Sequence, residues 1–140
     1  MPSKQTVRKA KQELREGKSP KTAAGEFVHE EIEHVRRGKH GARSPKQAIA
    51  IGLSEARRSG IPVPPSKKNA SAATKKKAER DYNKGQSSQT STKKSSSKRS
   101  KARLQALKRE PKNTASHAAL SRQAKSAARK RKNNSTRKAA

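Results

Sequence analysis

The chain has no cysteine and no tryptophan, and its only aromatic rings beyond histidine are Phe27 and Tyr82. Without cysteine, disulfide frameworks and thiolate zinc sites are excluded. With two rings, the base-stacking platforms of single-strand binders and RNA-recognition folds are disfavoured. Long apolar runs are missing as well. Nothing approaches the roughly 18 consecutive apolar residues of a membrane span, and Met1-Pro2-Ser3-Lys4 opens without the apolar stretch of a signal peptide. The expected setting is therefore cytoplasmic, with no membrane partner.

Catalytic signatures are absent too. There is no Gly-x-Ser-x-Gly elbow, no Walker-A loop and no Gly-x-Gly-x-x-Gly. Apolar material for a water-excluding pocket is short. The expectation is a non-enzyme with no cofactor and no metal. His29 and His34 were the one pair to check, with Glu30, Glu31 and Glu33 between them. Zincins need two His at i, i+4 on one helical face, and an i, i+5 pair sits about 140° apart at 100° per residue. His29–Glu33 and Glu30–His34 read instead as i, i+4 surface pairs.

Acid is scarce as well. The 140 residues carry 38 Lys+Arg against 10 Asp+Glu, a formal net charge of +28. Solubility asks for a net charge of only roughly 2–8 in a small domain. A surplus this large speaks about polyanionic partners. It is also uneven. Residues 1–65 hold 14 Lys/Arg and 7 Glu, a surplus of 7, and residues 66–140 hold the remaining 21. Nearly all large apolar residues lie in the first stretch. The expected architecture is all-α: a small helical hairpin or three-helix head over 1–65, then a basic, largely disordered, low-complexity tail over 66–140, since low hydrophobicity with high charge offsets too little chain entropy.

Three helices are legible in the head. Ser3 caps the first, whose face carries Val7, Ala10 and Leu14 before Gly17. Ser19-Pro20 and Ser44-Pro45 each place a cap before proline at the first helical position. The second helix aligns Ala24, Val28, Ile32 and Val35 and stops at Gly38; the third aligns Ile49, Gly52, Leu53 and Ala56. Gly52 would admit a close neighbour, Gln47 would reach back to the Ser44 amide, and Gly60-Ile61 suits a Schellman end with Ile61 folding onto Ala56. The repeated Ser-Pro-Lys also occurs in linker-histone tails; before amphipathic patterns, capping is the better reading. In the tail, 71–81, 100–110 and 114–131 are Ala/Lys-rich stretches expected to be helical only transiently, separated by Ser-rich linker.

The candidate DNA-binding residues are the tail clusters Lys75, Lys76, Lys77, Lys93, Lys94, Lys98, Arg99, Lys101, Arg103, Lys108, Arg109, Arg122, Lys125, Arg129, Lys130, Arg131 and Lys132. Arg122, Lys125, Arg129 and Lys132 fall within about 80° on one helical face. Each cation that neutralises a phosphate releases a condensed counterion, an entropic gain indifferent to base sequence. Lacking rings, such segments suit duplex rather than single strands, so the expected partner is nucleic acid, double-stranded DNA first. Glu26, Glu30, Glu31 and Glu33 are expected to hold the tail intramolecularly and temper its binding.

Residues 29–39, with 44–58 running Ser-Pro-Lys-Gln-Ala-Ile-Ala-Ile-Gly-Leu-Ser-Glu-Ala-Arg-Arg, resemble a family of short, Lys-rich bacterial proteins with a Lys-Gln-Ala-Ile-Ala-Ile-Gly-Leu-Ser-Glu-Ala-Arg core. Residues 116–124 are similar to the tail of the same group. Its members carry labels such as DNA-binding, histone-like or plasmid-stabilisation protein. The resemblance implies a nucleoid-associated, linker-histone-like or plasmid-maintenance role. Two other readings stay open: an RNA- or ribosome-associated basic protein, and a protein–protein adaptor with a charged localising tail. Homodimerisation through the apolar faces of the head is a further expectation.

Overall fold

The computed structural model describes residues 2–66, 70–87 and 96–139. Its regular elements are helical throughout: α1 (Lys4–Arg15), α2 (Pro20–Arg36), α3 (Pro45–Arg58), α4 (Ala72–Gln86), α5 (Ser97–Arg109), a single 3-10 turn (Asn113–Ala115) and α6 (His117–Ala139).

Local chemistry sets the ends of the first three helices. The Ser3, Ser19 and Ser44 hydroxyls accept from the amides of Thr6, Thr22 and Gln47, each three residues on. This satisfies one of the donors that a helix start leaves open. Gln47 does not reach the Ser44 amide; its Oε1 accepts from Arg43 N at 2.6 Å, one residue earlier. At the other ends Gly17, Gly38 and Gly60 take φ of 81°, 73° and 88°. At Gly60 the Schellman pair is complete, with Gly60 N on Arg57 O and Ile61 N on Ala56 O, both 3.1 Å. Ile61 is thereby folded into the core and fully buried.

That core is small and rich in alanine. Ala10, Ala23, Ala24, Phe27, Ala56, Ile61 and Val63 form it, flanked by Val7, Leu14 and Leu53. A second cluster joins Val35, Ala42, Ala48 and Ala115, with Ile32 against it. Alanines give little area each, but they let helix axes draw together. The axes of α2 and α3 draw close at Gly52, where an added Cβ would sit 2.7 Å from Val28 Cα. Gly25, midway along α2, has nothing within 4 Å of the same position. Two identical substitutions should therefore have opposite signs in a urea titration. Gly25→Ala should stabilise by about 0.5–1 kcal/mol through helix propensity. Gly52→Ala should destabilise by about 1–3 kcal/mol by forcing α2 and α3 apart.

The expectation of a largely disordered tail is overturned. Beyond residue 66 the chain forms α4, α5 and α6, with helix running to residue 139. Composition misled because it scores side-chain hydrophobicity, whereas Ala, Leu, Arg, Lys and Gln are among the best helix formers. Tertiary contacts add to this, and hydropathy cannot register them. α4 lies on α3, where Ser54 Oγ donates to the buried carboxylate of Asp81. The end of α5 and the chain after it are clasped to the loop after α2. Gly41 N donates to Leu107 O at 2.8 Å, Ala42 N to Pro111 O at 2.9 Å, and Thr114 Oγ1 to Ala42 O at 2.9 Å. Arg36 Nε donates to Ala115 O at 2.8 Å. These are mostly main-chain contacts, which a reading of side chains leaves unseen.

Candidate nucleic-acid interface

The basic residues divide into two electrostatic populations. In the head, six of the fourteen Lys and Arg stand in ion pairs with acids among the described residues: Lys9, Lys18, Arg36, Arg37, Arg43 and Arg58. Lys9 Nζ meets Glu26 at 2.9 Å, and Lys18 meets Glu13 at 3.2 Å and Glu16 at 3.3 Å. The hydrogen bonds to Glu26 and to Glu13 hold the two lysine pKa values above the usual lysine range. Glu33 takes Arg36 at 3.1 Å and Arg37 at 3.6 Å, while Asp81 lies 4.0 Å from Arg58. α2 supplies much of this acid, with four Glu against Lys21 and Arg36.

The helices α5 and α6 are built differently. α5 carries Lys98, Arg99, Lys101, Arg103, Lys108 and Arg109, and α6 carries Arg122, Lys125, Arg129, Lys130, Arg131, Lys132, Arg137 and Lys138. Neither contains an Asp or Glu. All fourteen side chains are exposed. Among the described residues none of them takes part in an ion pair, and the one acidic neighbour between the two helices, Glu110, faces Arg43 of the head at 3.4 Å. On α5, Lys98, Lys101, Lys108 and Arg109 share about 100° of the helix circumference. On α6 the stripe of Arg122, Lys125, Arg129 and Lys132 runs along a continuous helix whose start is capped by Ser116 Oγ, which accepts from Ala119 N at 3.2 Å. Arg137 and Lys138, which pattern alone had not singled out, extend the basic surface by a further turn.

The remaining candidates are placed less uniformly. Lys76 and Lys77 are exposed on α4, and Lys75 is half-buried. Packing of α4 against α3 is close: an added Cβ at Gly85 would stand 1.7 Å from Arg57 O. Lys93 and Lys94 lie outside the described residues.

Among the described residues the acidic residues of α2 do not hold the tail, contrary to expectation. Their partners lie in the head. Glu26 pairs with Lys9, and Glu30 accepts from Ser3 N at 3.1 Å through both oxygens. Glu33 takes Arg36 and Arg37, and Glu31 faces His34 and His40. Burial alone would raise the Glu30 pKa, but the Ser3 amide and the hydroxyls of Thr6 and Ser3 more than offset it, and the carboxyl ends below its ordinary range. His29 is exposed and apart from this group. His40, absent from the sequence reading, is one of its members. The missed signal was Glu31, which stands four residues from both Phe27 and Val35, in the middle of the stripe that α2 buries.

Among the described residues no helix is long and apolar enough to cross a membrane. Residues 3–68 match the model of DUF6496, a family of unknown function. The matched stretch holds α1, α2 and α3 and stops short of α4. No curated protein and no solved structure matches the chain.

Proposed function

We propose that the chain binds duplex DNA electrostatically and with little sequence preference, through the basic surfaces of α5 and α6, in a nucleoid-associated, linker-histone-like or plasmid-maintenance role. One observation carries the reading: fourteen exposed cations stand on two helices that contain no acid and, among the described residues, make no ion pair, while in the head Lys9, Lys18, Arg36 and Arg37 have acidic partners beside them. Leaving so many like charges together costs free energy in the isolated protein. Phosphates along a duplex remove that cost and release counterions as they do so. The helices also arrive ordered, so binding need not first recover the entropy of a disordered tail.

The arginines favour close, two-pronged contact with phosphate oxygens, and the lysines act as point charges. Nothing in this chemistry distinguishes one base pair from another. The head's large apolar side chains pack largely within the chain, so a homodimer forms no part of the proposal.

The test is a charge-neutralised α6. Replacing Arg122, Lys125, Arg129 and Lys132 together by Gln should weaken binding about equally for duplexes of unrelated sequence. It should also make log K against log[salt] shallower by about 3–4, one near-unit step per lost phosphate contact. Far-UV circular dichroism should retain the helical signal. An unchanged slope would remove α6 from the interface. Competition at matched salt between duplex DNA and structured RNA tests the partner, and preferential displacement by RNA would turn the reading toward a ribosome-associated protein.

A further inference from the structure

Glu31, His34 and His40 bring one carboxylate oxygen and two imidazole nitrogens within 4.8 Å of one another. His40 is in the loop after α2, and the other two share one face of α2. Glu31 is 2% exposed, and its Oε1 has no hydrogen-bond partner among the described residues. A carboxylate this deep is expensive unless something positive meets it.

The imidazoles are presented in an informative way. His40 Nδ1 is 2.9 Å from the carbonyl oxygen of Gly41. A carbonyl can only accept, so Nδ1 carries the hydrogen, and in the neutral ring Nε2 is left as a bare lone pair. That lone pair lies 3.2 Å from Glu31 Oε1. Two lone pairs at this separation repel unless a cation stands between them. His34 repeats the arrangement, with Nδ1 3.7 Å from Glu31 Oε2 and Nε2 3.8 Å from Glu30 Oε1. In both rings one nitrogen faces the shared carboxylate and the other faces an outer acceptor. Histidines that ligate metals have this pattern: the second ring nitrogen is directed at a backbone carbonyl or a carboxylate.

We propose that Glu31, His34 and His40 form a binding site for a divalent transition-metal ion of the zinc class. Imidazole and carboxylate donors suit Zn2+ and its neighbours better than Mg2+ or Ca2+, which favour all-oxygen shells. Tetrahedral bonds of about 2.0–2.2 Å place ligand atoms about 3.3 Å apart. His40 Nε2 and Glu31 Oε1, at 3.2 Å, already meet this, whereas His34 Nδ1 lies 3.7 Å from the other oxygen, Oε2, and would have to close on the ion, the three ligand atoms standing within 4.8 Å of one another. Three protein ligands leave the fourth position for water. The negative charge of Glu55 acts on both Glu31 and His34 and favours a cation, whereas Lys39 opposes one at His34. The site would tie α2 to the same loop that grips Leu107 and Pro111, so the ion would brace the clasp between the head and the chain leading into α6. This inference does not depend on the DNA-binding reading.

The experiment uses the full-length chain without a histidine tag, stripped with a chelator and titrated with Zn2+ and Co2+. The expected result is one ion per chain and visible Co2+ ligand-field absorption of a tetrahedral N/O site. His40→Gln and His34→Gln should each weaken Zn2+ binding by at least about 10–100-fold, the loss that follows removal of even an outer-shell partner. His29→Gln and His117→Gln, which change exposed rings, should leave it unaltered. A variant that loses its helical circular dichroism is set aside, and the other His variant decides. Absence of stoichiometric binding would overturn the proposal, leaving a proton shared between Glu31 and His40. So would Zn2+ affinity that survives His40→Gln and His34→Gln, which would mean an adventitious ion only.

Discussion

Raising sodium chloride from about 50 mM to about 200 mM is expected to weaken duplex-DNA binding roughly 10^3- to 10^5-fold, the loss that follows when about 6–10 phosphates are neutralised. The supply of cations is sufficient: α5 and α6 together expose fourteen, unpaired among the described residues. At about 1.5 Å per residue, the 23 residues of α6 make a rod of about 35 Å. That is about one turn of duplex. If about eight phosphates are engaged, log K should fall against log[salt] with a slope near −7. Fluorescence anisotropy with duplexes of differing sequence would measure both the slope and its indifference to base order. A flat dependence would sink the electrostatic account. A steep slope with strong sequence preference would place readout in some surface other than these helices.

The second large effect concerns two glycines that no helical propensity argument would protect. Gly85 lies within α4, where alanine is ordinarily worth about 1 kcal/mol of added stability. Here an alanine Cβ would stand 1.7 Å from Arg57 O and 3.0 Å from Gly60 N. Backbone atoms cannot swing aside as a lysine tip can. Gly41→Ala meets the same obstacle, with its Cβ 1.8 Å from Glu110 O and 2.9 Å from Pro111 O. Both substitutions should cost about 3 kcal/mol or more, at or beyond the upper end for overpacking. Hydrogen exchange separates the two. In Gly41→Ala the amides of Gly41 and Ala42 should lose protection, because their acceptors are Leu107 O and Pro111 O. The Ile61 amide, bonded to Ala56 O within the head, should keep its protection. In Gly85→Ala the loss should fall on α4 instead. Wild-type stability in either variant would mean that α4 or the clasp is not held as described.

How much of this could be read in advance follows the range of the interactions. The Ser19 and Ser44 caps, the Gly60-Ile61 end and the close approach at Gly52 are all written within a few residues, and periodicity found them. The helices beyond residue 66 were misjudged because their order combines alanine-rich propensity with contacts made across the chain, such as Asp81 on Ser54 and Ala42 on Pro111. The basic candidates on α5 and α6 were visible as composition, but their lack of acidic partners required the structure. Glu31 reads as one more acid of the α2 cluster when only the His29–His34 spacing is weighed. Its position between Phe27 and Val35 on the buried stripe was the better clue. His40 could not be found by spacing at all, since it comes from a loop and reaches Glu31 only after that loop folds back.

Arg36 meets Ala115 across 79 positions, and Thr114 meets Ala42 across 72. Contacts among α1, α2 and α3 can form as soon as those helices exist, whereas closure over that much intervening chain has to wait. On a translating ribosome, which delivers the N-terminal part first, the opening helices emerge with Gly41 and Ala42 bare. Their main-chain amides stay open to water until positions 107 and 111, which supply their acceptors, have cleared the exit tunnel.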